Sequence, residues 1–290
     1  MTKKNRTKHW LENHSNLELA CIYCSEVLEL QGERLVCLNN HSFDLAKQGY
    51  YFMAKKANST KYDNSLFQSR REIILHTDLY RPLHEYLAEY LKSNVSSDAM
   101  ILDAGSGEAS HLFQIKELIA DQNYGLIATD LAKDAIRVAT DYNGYLLSMI
   151  ADLAELPIGD RQIDVILSIF SPSNYAEFER VLKDNGELIK VVPNAAYLQE
   201  IRQALIDMGV GNIHPYSNDD VVNVFKKHYK EYSIEEIKQT VQLTELQLKH
   251  LITMTPLTWQ LTSDQERELL SHFNGQVTLD VSVLIGKIMY

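Results

Sequence analysis

Two constellations in the sequence carry residue types that can do chemistry. The first is Cys21-Ile22-Tyr23-Cys24, followed after twelve intervening residues by Cys37-Leu38-Asn39-Asn40-His41. Two thiolates separated by two residues form a knuckle that sets both sulfurs on one cation. A second knuckle of Cys and His completes a tetrahedron. Four side-chain donors leave no open position, so the pattern predicts one structural zinc held by Cys21, Cys24, Cys37 and His41. These are the only 3 cysteines of the chain, an odd number that cannot pair completely as disulfides. The second constellation is Asp103-Ala104-Gly105-Ser106-Gly107-Glu108. It follows the apolar run Met100-Ile101-Leu102 and precedes helix-compatible sequence from Ala109 to Asp121. That is the pattern of a buried strand, a tight turn and a helix N-terminus, where the backbone approaches a ligand closely.

Acids recur at the ends of the next strand-like runs. Gly125 to Asp130 is one such run, and Tyr145 to Ala151, closed by Asp152, is the next. In an open parallel sheet, ligands sit at the carboxyl ends of the strands. Asp103, Asp130 and Asp152 therefore fall at one edge. Asp130 is placed to accept the ribose hydroxyls of a nucleoside, and Asp152 the amino group of an adenine. Ala109 stands where a dinucleotide fold has a third glycine, and Glu108 would repel a pyrophosphate. Both favour a cofactor without phosphate, S-adenosylmethionine, over NAD. An acid at a strand–helix junction also caps helices. Three in register with the glycine turn outweigh that simpler role.

The elements that must hold these residues alternate between strand and helix. A helix is expected from Pro82, with Leu83, Tyr86, Leu87, Tyr90 and Leu91 at helical spacing. Ile163 to Ile169 reads as a strand buried on both faces, Asn174 to Leu182 as a helix, and Glu187 to Val192 as a fifth strand. The alternation predicts an α/β chain built on a parallel sheet with helices on both sides. Later segments change rhythm. Ala195 to Met208 and Leu243 to Met254 read as helices, Tyr229 to Thr240 as an edge strand, and Val277 to Ile288 as a final strand. Residues 1–16 read as a disordered N-terminus, 17–54 as the zinc ribbon, 55–79 as a basic linker and 80–290 as the catalytic sheet.

Composition narrows the class. The 290 residues are 45% hydrophobic and 23% charged, ordinary values for a globular protein. No apolar run is long enough to cross a bilayer, and the basic N-terminus lacks the apolar core of a secretory signal, so a cytoplasmic protein without a membrane partner is expected. A net charge of −11 argues against nonspecific coating of DNA or RNA. It leaves room for a local basic patch on a folded RNA. Lys47, Lys55, Lys56, Lys61, Arg70, Arg71 and Arg81 cluster with tyrosines between residues 47 and 81. Such a run is either a solvated face or a phosphate-gripping patch. A helix from Phe67 to Leu75 is expected to expose Arg70 and Arg71.

The chain resembles the bacterial 23S ribosomal RNA guanine-N1 methyltransferases, which join an N-terminal zinc ribbon to a class I (Rossmann-like) methyltransferase domain and include relatives that confer macrolide resistance. The resemblance rests on Cys21, Cys24, Cys37 and His41, and on the run His41 to Tyr50. It continues through Ser69-Arg70-Arg71, Tyr80-Arg81-Pro82-Leu83, Leu102 to Glu108 and Met254-Thr255-Pro256-Leu257-Thr258-Trp259. It implies cofactor contacts from Tyr80, His111, Leu112 and Tyr197, beside Asp103, Gly105, Gly107, Asp130 and Asp152. It implies as partner a 23S ribosomal RNA hairpin, gripped by the ribbon with Lys55, Lys56, Arg70 and Arg71. Phe170, in Ser168-Ile169-Phe170-Ser171-Pro172, is expected to stack on the target guanine. A homodimer is consistent with the resemblance. The chain departs from the family at Ala109 and Tyr197, at Asp78, and at Asp63-Asn64-Ser65 in place of Gly-Asp-Ser. No residue is assigned as general base. Two other classes remain open from sequence: a small-molecule methyltransferase, and a non-catalytic ribosome-binding or assembly factor that keeps the fold.

Overall fold

The computed structural model of the chain describes residues 1–56, 64–210 and 216–288. Lys61 of the basic cluster and Asp63 of the altered Gly-Asp-Ser motif lie outside the described residues. The chain opens with α1 (Lys3–Asn13) and the ribbon strands β1 (Leu28–Gln31), β2 (Arg34–Cys37) and β3 (Ser42–Asp44). β4 (Tyr51–Met53), α2 (Asn64–His76) and α3 (Arg81–Asn94) lead into β5 (Met100–Ala104), α4 (Ser110–Leu118), β6 (Gly125–Asp130), α5 (Lys133–Ala139) and β7 (Leu146–Ala151). Then come β8 (Ile163–Ile169), α6 (Tyr175–Val181), β9 (Leu182–Pro193), α7 (Gln199–Asp207) and α8 (Asp219–His228). β10 (Glu231–Gln242), α9 (Glu245–Met254), α10 (Ser263–His272) and β11 (Gln276–Lys287) complete it.

The ribbon is an antiparallel sheet of β1, β2 and β3, and the second sheet runs β10-β11-β9-β8-β5-β6-β7-β4. β4 to β9 are parallel in this order, while β11 and β10 run antiparallel at the far edge. The central strands are buried along their length because helices cover both faces. β5 divides its side chains accordingly. Ile101 faces Leu83, Leu87, Leu112 and Leu251 from the helices α3, α4 and α9. Met100, Leu102 and Ala104 face a second layer that holds Trp10, Tyr51, Phe178 and Tyr229.

Three features differ from the sequence reading. First, residues 1–16 are not disordered. Thr2 caps α1 by accepting from the Asn5 N–H at 3.2 Å. Trp10, 3% exposed, joins the second layer, and the Thr7 hydroxyl donates to the Gly49 carbonyl at 2.8 Å. A low apolar count conceals a helix that needs only one side of one turn to dock. Second, β4 pairs in parallel with β7, so a segment assigned to the ribbon is the edge strand of the large sheet. Third, α8 and α10 occupy stretches to which the sequence reading assigned no element. Trp10→Ala is expected to lower the unfolding free energy by about 3 kcal/mol, measured by urea denaturation. An unchanged midpoint would mean that α1 is not docked.

Candidate functional site

The four ribbon donors converge. Cys24 Sγ lies 3.7 Å from Cys37 Sγ, and His41 Nδ1 lies 3.4, 3.4 and 3.5 Å from the sulfurs of Cys21, Cys24 and Cys37. A zinc about 2.3 Å from each sulfur has S···S edges of about 3.8 Å, so the spacing is that of a tetrahedral coordination shell. All four donor atoms lie within 4.8 Å of one another. The ribbon is not a separable module. Leu19, Cys21, Leu28, Leu35 and Phe43 pack in one cluster with Leu102, Ile127 and Leu147 of the large sheet. Leu19 also bridges Ile158, and the Ala20 N–H donates to Pro157.

The glycine turn is built by backbone bonds from two strands. The Gly105 and Ser106 N–H groups both donate to the Thr129 carbonyl at 2.9 Å. One Asp130 oxygen accepts the Gly107 N–H at 2.8 Å and the other the Ala132 N–H at 2.7 Å. Asp130 thus locks the turn to the loop after β6, and each oxygen keeps a lone pair for a ligand hydroxyl. Gly105 and Gly107 have φ of 78° and 60°, as such a turn requires. Ala109, at φ 62°, holds a left-handed conformation at the head of α4, the place where a third glycine would sit without strain.

A cavity of about 1000 Å³ opens above this turn. Its floor includes Gly105, Asp130, Asp152, His111 and Tyr80, and its outer wall Phe170, Pro172, Tyr175, Tyr216 and Trp259. Tyr80 and Tyr197 are joined through their hydroxyls at 2.6 Å, and Phe170 lies 5.4 Å from the Tyr197 ring. Phe170, in the cavity wall, is left-handed at φ 55°. The apolar strand β9 carries one buried cation into it. Lys190 donates to the Ser171 carbonyl at 2.9 Å and the Ser173 hydroxyl at 2.8 Å, and burial pushes its pKa down to about 8. A lysine within the apolar run from Leu188 to Val192 is a signal that the sequence reading passed over. Trp259 belongs to a motif it singled out but gave no role.

Of the cofactor residues expected from sequence, Tyr80, Gly105, His111, Asp130, Asp152 and Tyr197 line the cavity. Asp103, Gly107 and Leu112 lie behind its wall. Asp103 is 1% exposed, and its Oδ1 has no hydrogen-bond partner among the described residues. Burial pushes this carboxyl up to about 7, against the pull of Arg70. Glu108 does not face a ligand. It is fully buried, 3.4 Å from the Arg70 guanidinium.

The residues expected on RNA are where the structure disagrees most. Arg70 is not on an exposed face of α2. Its side chain turns inward, lines the cavity and lies against Gly107. Arg71 binds Asp141 at 2.6 Å and covers the Tyr142 ring. Lys55 pairs with Glu155 at 2.5 Å, whereas Lys56 is exposed. Phe170, expected to stack on the target guanine, lines the cavity. Among the described residues, Arg70 and Arg71 are drawn into the fold rather than left free, because α2 is held between α9 on one side and α4 and α5 on the other.

Beneath Tyr80, His84 Nε2 and His111 Nδ1 lie 2.8 Å apart. Burial pushes His84 down to about 4 and His111 well below the usual imidazole range, where His84 and Arg70 add to the effect. An unfolded histidine takes up its proton near pH 6.5, and the folded chain refuses it until about pH 4 at His84. The pair therefore favours unfolding progressively as pH falls across that window. In NMR titration both rings are expected to stay neutral down to about pH 5; either ring titrating near 6.5 would contradict the buried pair. Chelation is expected to release one zinc per chain and to lower the melting temperature of the whole chain in one transition. Melting of the ribbon alone would contradict the shared core.

The comparisons agree with this architecture. The family model described as "RlmA, N-terminal", a zinc ribbon, matches residues 19–53. Among solved structures, the YcgJ protein of Bacillus subtilis shares the fold at TM-score 0.50 and 14% identity, over 72% of this chain and 99% of that one. Phosphoethanolamine N-methyltransferase 2 of Haemonchus contortus, solved with S-adenosyl-L-methionine, does so at TM-score 0.50 and 10% identity, over 80% and 59%. Among curated relatives, the 23S rRNA (guanine(748)-N(1))-methyltransferase of Streptomyces fradiae is 27% identical over 92% of this chain and 95% of its own. YxjB of Bacillus subtilis, assigned to the 23S rRNA (guanine-N1)-methyltransferases, is 36% identical over 92% of this chain and 95% of its own. By that near full-length relationship, the chain belongs to the 23S rRNA (guanine-N1)-methyltransferase family.

Proposed function

We propose that the chain transfers a methyl group from S-adenosylmethionine to N1 of one guanine in 23S ribosomal RNA. The observation that carries this reading is the single cavity, which joins a nucleoside-binding floor to an aromatic wall wide enough for a second base. Bound S-adenosylmethionine supplies an electrophilic methyl on a sulfonium, which departs as the neutral thioether. The chain's own work is to hold nucleophile, methyl and sulfur in line.

Asp130 is placed to accept the ribose hydroxyls while its two N–H donors keep it in position. Asp152 stands at the neighbouring strand end, where an adenine amino group is reached. Tyr80, His111 and Tyr197 close the cavity on the side of the reacting sulfur. Phe170 offers a ring face to a looped-out guanine. Lys190, bonded to Ser171 and Ser173, fixes the loop that carries Phe170. A cation on this side also eases loss of the N1 proton, because negative charge then gathers on the guanine. The zinc ribbon lies on the β4–β7 side of the sheet and offers the hairpin a surface outside the cavity. Ribosomal RNA as substrate places the reaction in the cytoplasm.

Labelled methyl transfer to 23S ribosomal RNA, mapped by primer extension, tests the reading. One new stop at a guanine is expected, since an N1 methyl blocks the pairing edge. Asp130→Ala is expected to abolish the stop and to weaken cofactor binding at least about tenfold. Transfer only into a metabolite extract would favour the small-molecule reading, and no transfer with no cofactor binding the non-catalytic one.

A further inference from the structure

We propose that Arg70 is the cation that receives the carboxylate of the methyl donor's amino-acid end. This rests on the methyl-donor reading above. S-adenosylmethionine ends in a zwitterion, and a carboxylate that gives up part of its hydration in the cavity is best met by a cation. Among the described lining residues, the lysine and arginine side chains are Arg70 and Lys190. Lys190 already donates to Ser171 and Ser173, with Ser168 Oγ a further 3.4 Å away, and serves the opposite wall. Arg70 has five N–H donors in a planar fork, and its ion pair with Glu108 at 3.4 Å uses only part of them.

Its placement fits that task. The guanidinium lies over Gly107, where the methyl of an alanine would collide with it. The same turn carries Gly105 on the cavity floor, where Asp130 at the end of β6 accepts from the Gly107 N–H. Arg70 comes from α2, outside the run of sheet-edge acids and glycines, so it adds a contact from the linker to the cofactor.

The test is calorimetry on the full zinc-loaded chain with three ligands: S-adenosylhomocysteine, its carboxyl methyl ester, and 5′-methylthioadenosine, which lacks the amino acid. The wild type is expected to bind S-adenosylhomocysteine about 10- to 100-fold more tightly than the ester. Arg70→Met should lose that factor for S-adenosylhomocysteine and keep the affinity for 5′-methylthioadenosine within about twofold. Should Arg70→Met fail to fold, Arg70→Lys, which keeps the charge but not the fork, carries the same comparison, with a several-fold loss confined to S-adenosylhomocysteine. Equal weakening of S-adenosylhomocysteine and 5′-methylthioadenosine would show that Arg70 only supports the turn and would overturn the proposal. Equal wild-type affinity for acid and ester would also overturn it, while leaving the methyl-donor reading intact. A wild type that binds none of the three would overturn the methyl-donor reading, and the proposal with it.

Discussion

One guanidinium placed against three carboxylates governs this structure. Arg70 sits beside Glu108, with Asp103 and Asp130 close enough to act on it, in a floor largely closed to water. Burial opposes every one of these charges. The arrangement persists because Glu108, then Tyr80, Asp103 and Asp130, outweigh that cost and keep the arginine protonated. The acids cannot all be answered by one cation, and both Glu108 and Asp103 are held above the usual carboxylate range. The geometry around them follows. α2 must dock over the turn to deliver Arg70, and α9 must pack against α2 to hold it there, with His250 meeting Ser69 at 3.2 Å. Two motifs that stand far apart in sequence, Ser69-Arg70-Arg71 and Met254 to Trp259, therefore meet at one cavity.

The legible parts of the chain were those where local chemistry and tertiary role coincide. Cys21, Cys24, Cys37 and His41 could be read directly because metal geometry dictates spacing. The strands β5 to β9 could be read because burial on both faces leaves uninterrupted apolar runs. Asp130 was legible as a ligand but not as a brace, since its bonds to Gly107 and Ala132 depend on how two loops approach. Arg70 was misread for the same reason. An arginine on an amphipathic helix looks exposed until another element supplies a buried acid, and Glu108 is 38 positions away. α1 has a mean composition typical of a tail, and its docking depends on Trp10 and on the Thr7 bond to Gly49. The helices α9 and α10 did carry local signals. Thr244 with Gln247, and Thr262 with Gln265, are capping boxes at their starts, and neither entered the sequence reading.

Ala109 heads α4, Phe170 follows β8 and Leu198 precedes α7, and all three are left-handed without being glycine. Such a residue costs about 1–2 kcal/mol, so neighbouring bonds must hold it. For Phe170 they are visible. Its N–H donates to Val191 at 3.1 Å, and the next residue, Ser171, donates to the Ala104 carbonyl at 2.6 Å. That second bond ties the loop after β8 to the last residue of β5, one position before Gly105. The Ser171 side chain in turn fills the space above Gly105, which explains why that glycine has no room for a side chain. Lys190 completes the brace from β9. The aromatic wall and the glycine turn are thus fixed to one another by short bonds rather than by packing alone.

The same logic extends to the ribbon. A module of three short strands has too little core to persist without its metal, but here its apolar side chains are also part of the sheet's second layer. β4 adds to this, since Tyr51 and Met53 leave the ribbon's last turn and continue directly as the partner of β7. α1 then crosses the junction. Asn143, just before β7, donates to both Thr7 and Gly49 at 2.9 and 2.6 Å, so helix, ribbon turn and sheet share one buried polar node. A rigid connection of this kind sets the distance from the zinc to the glycine turn. Ribbon and cavity are thereby parts of one packed body, and a change at the metal site reaches the sheet that carries the glycine turn.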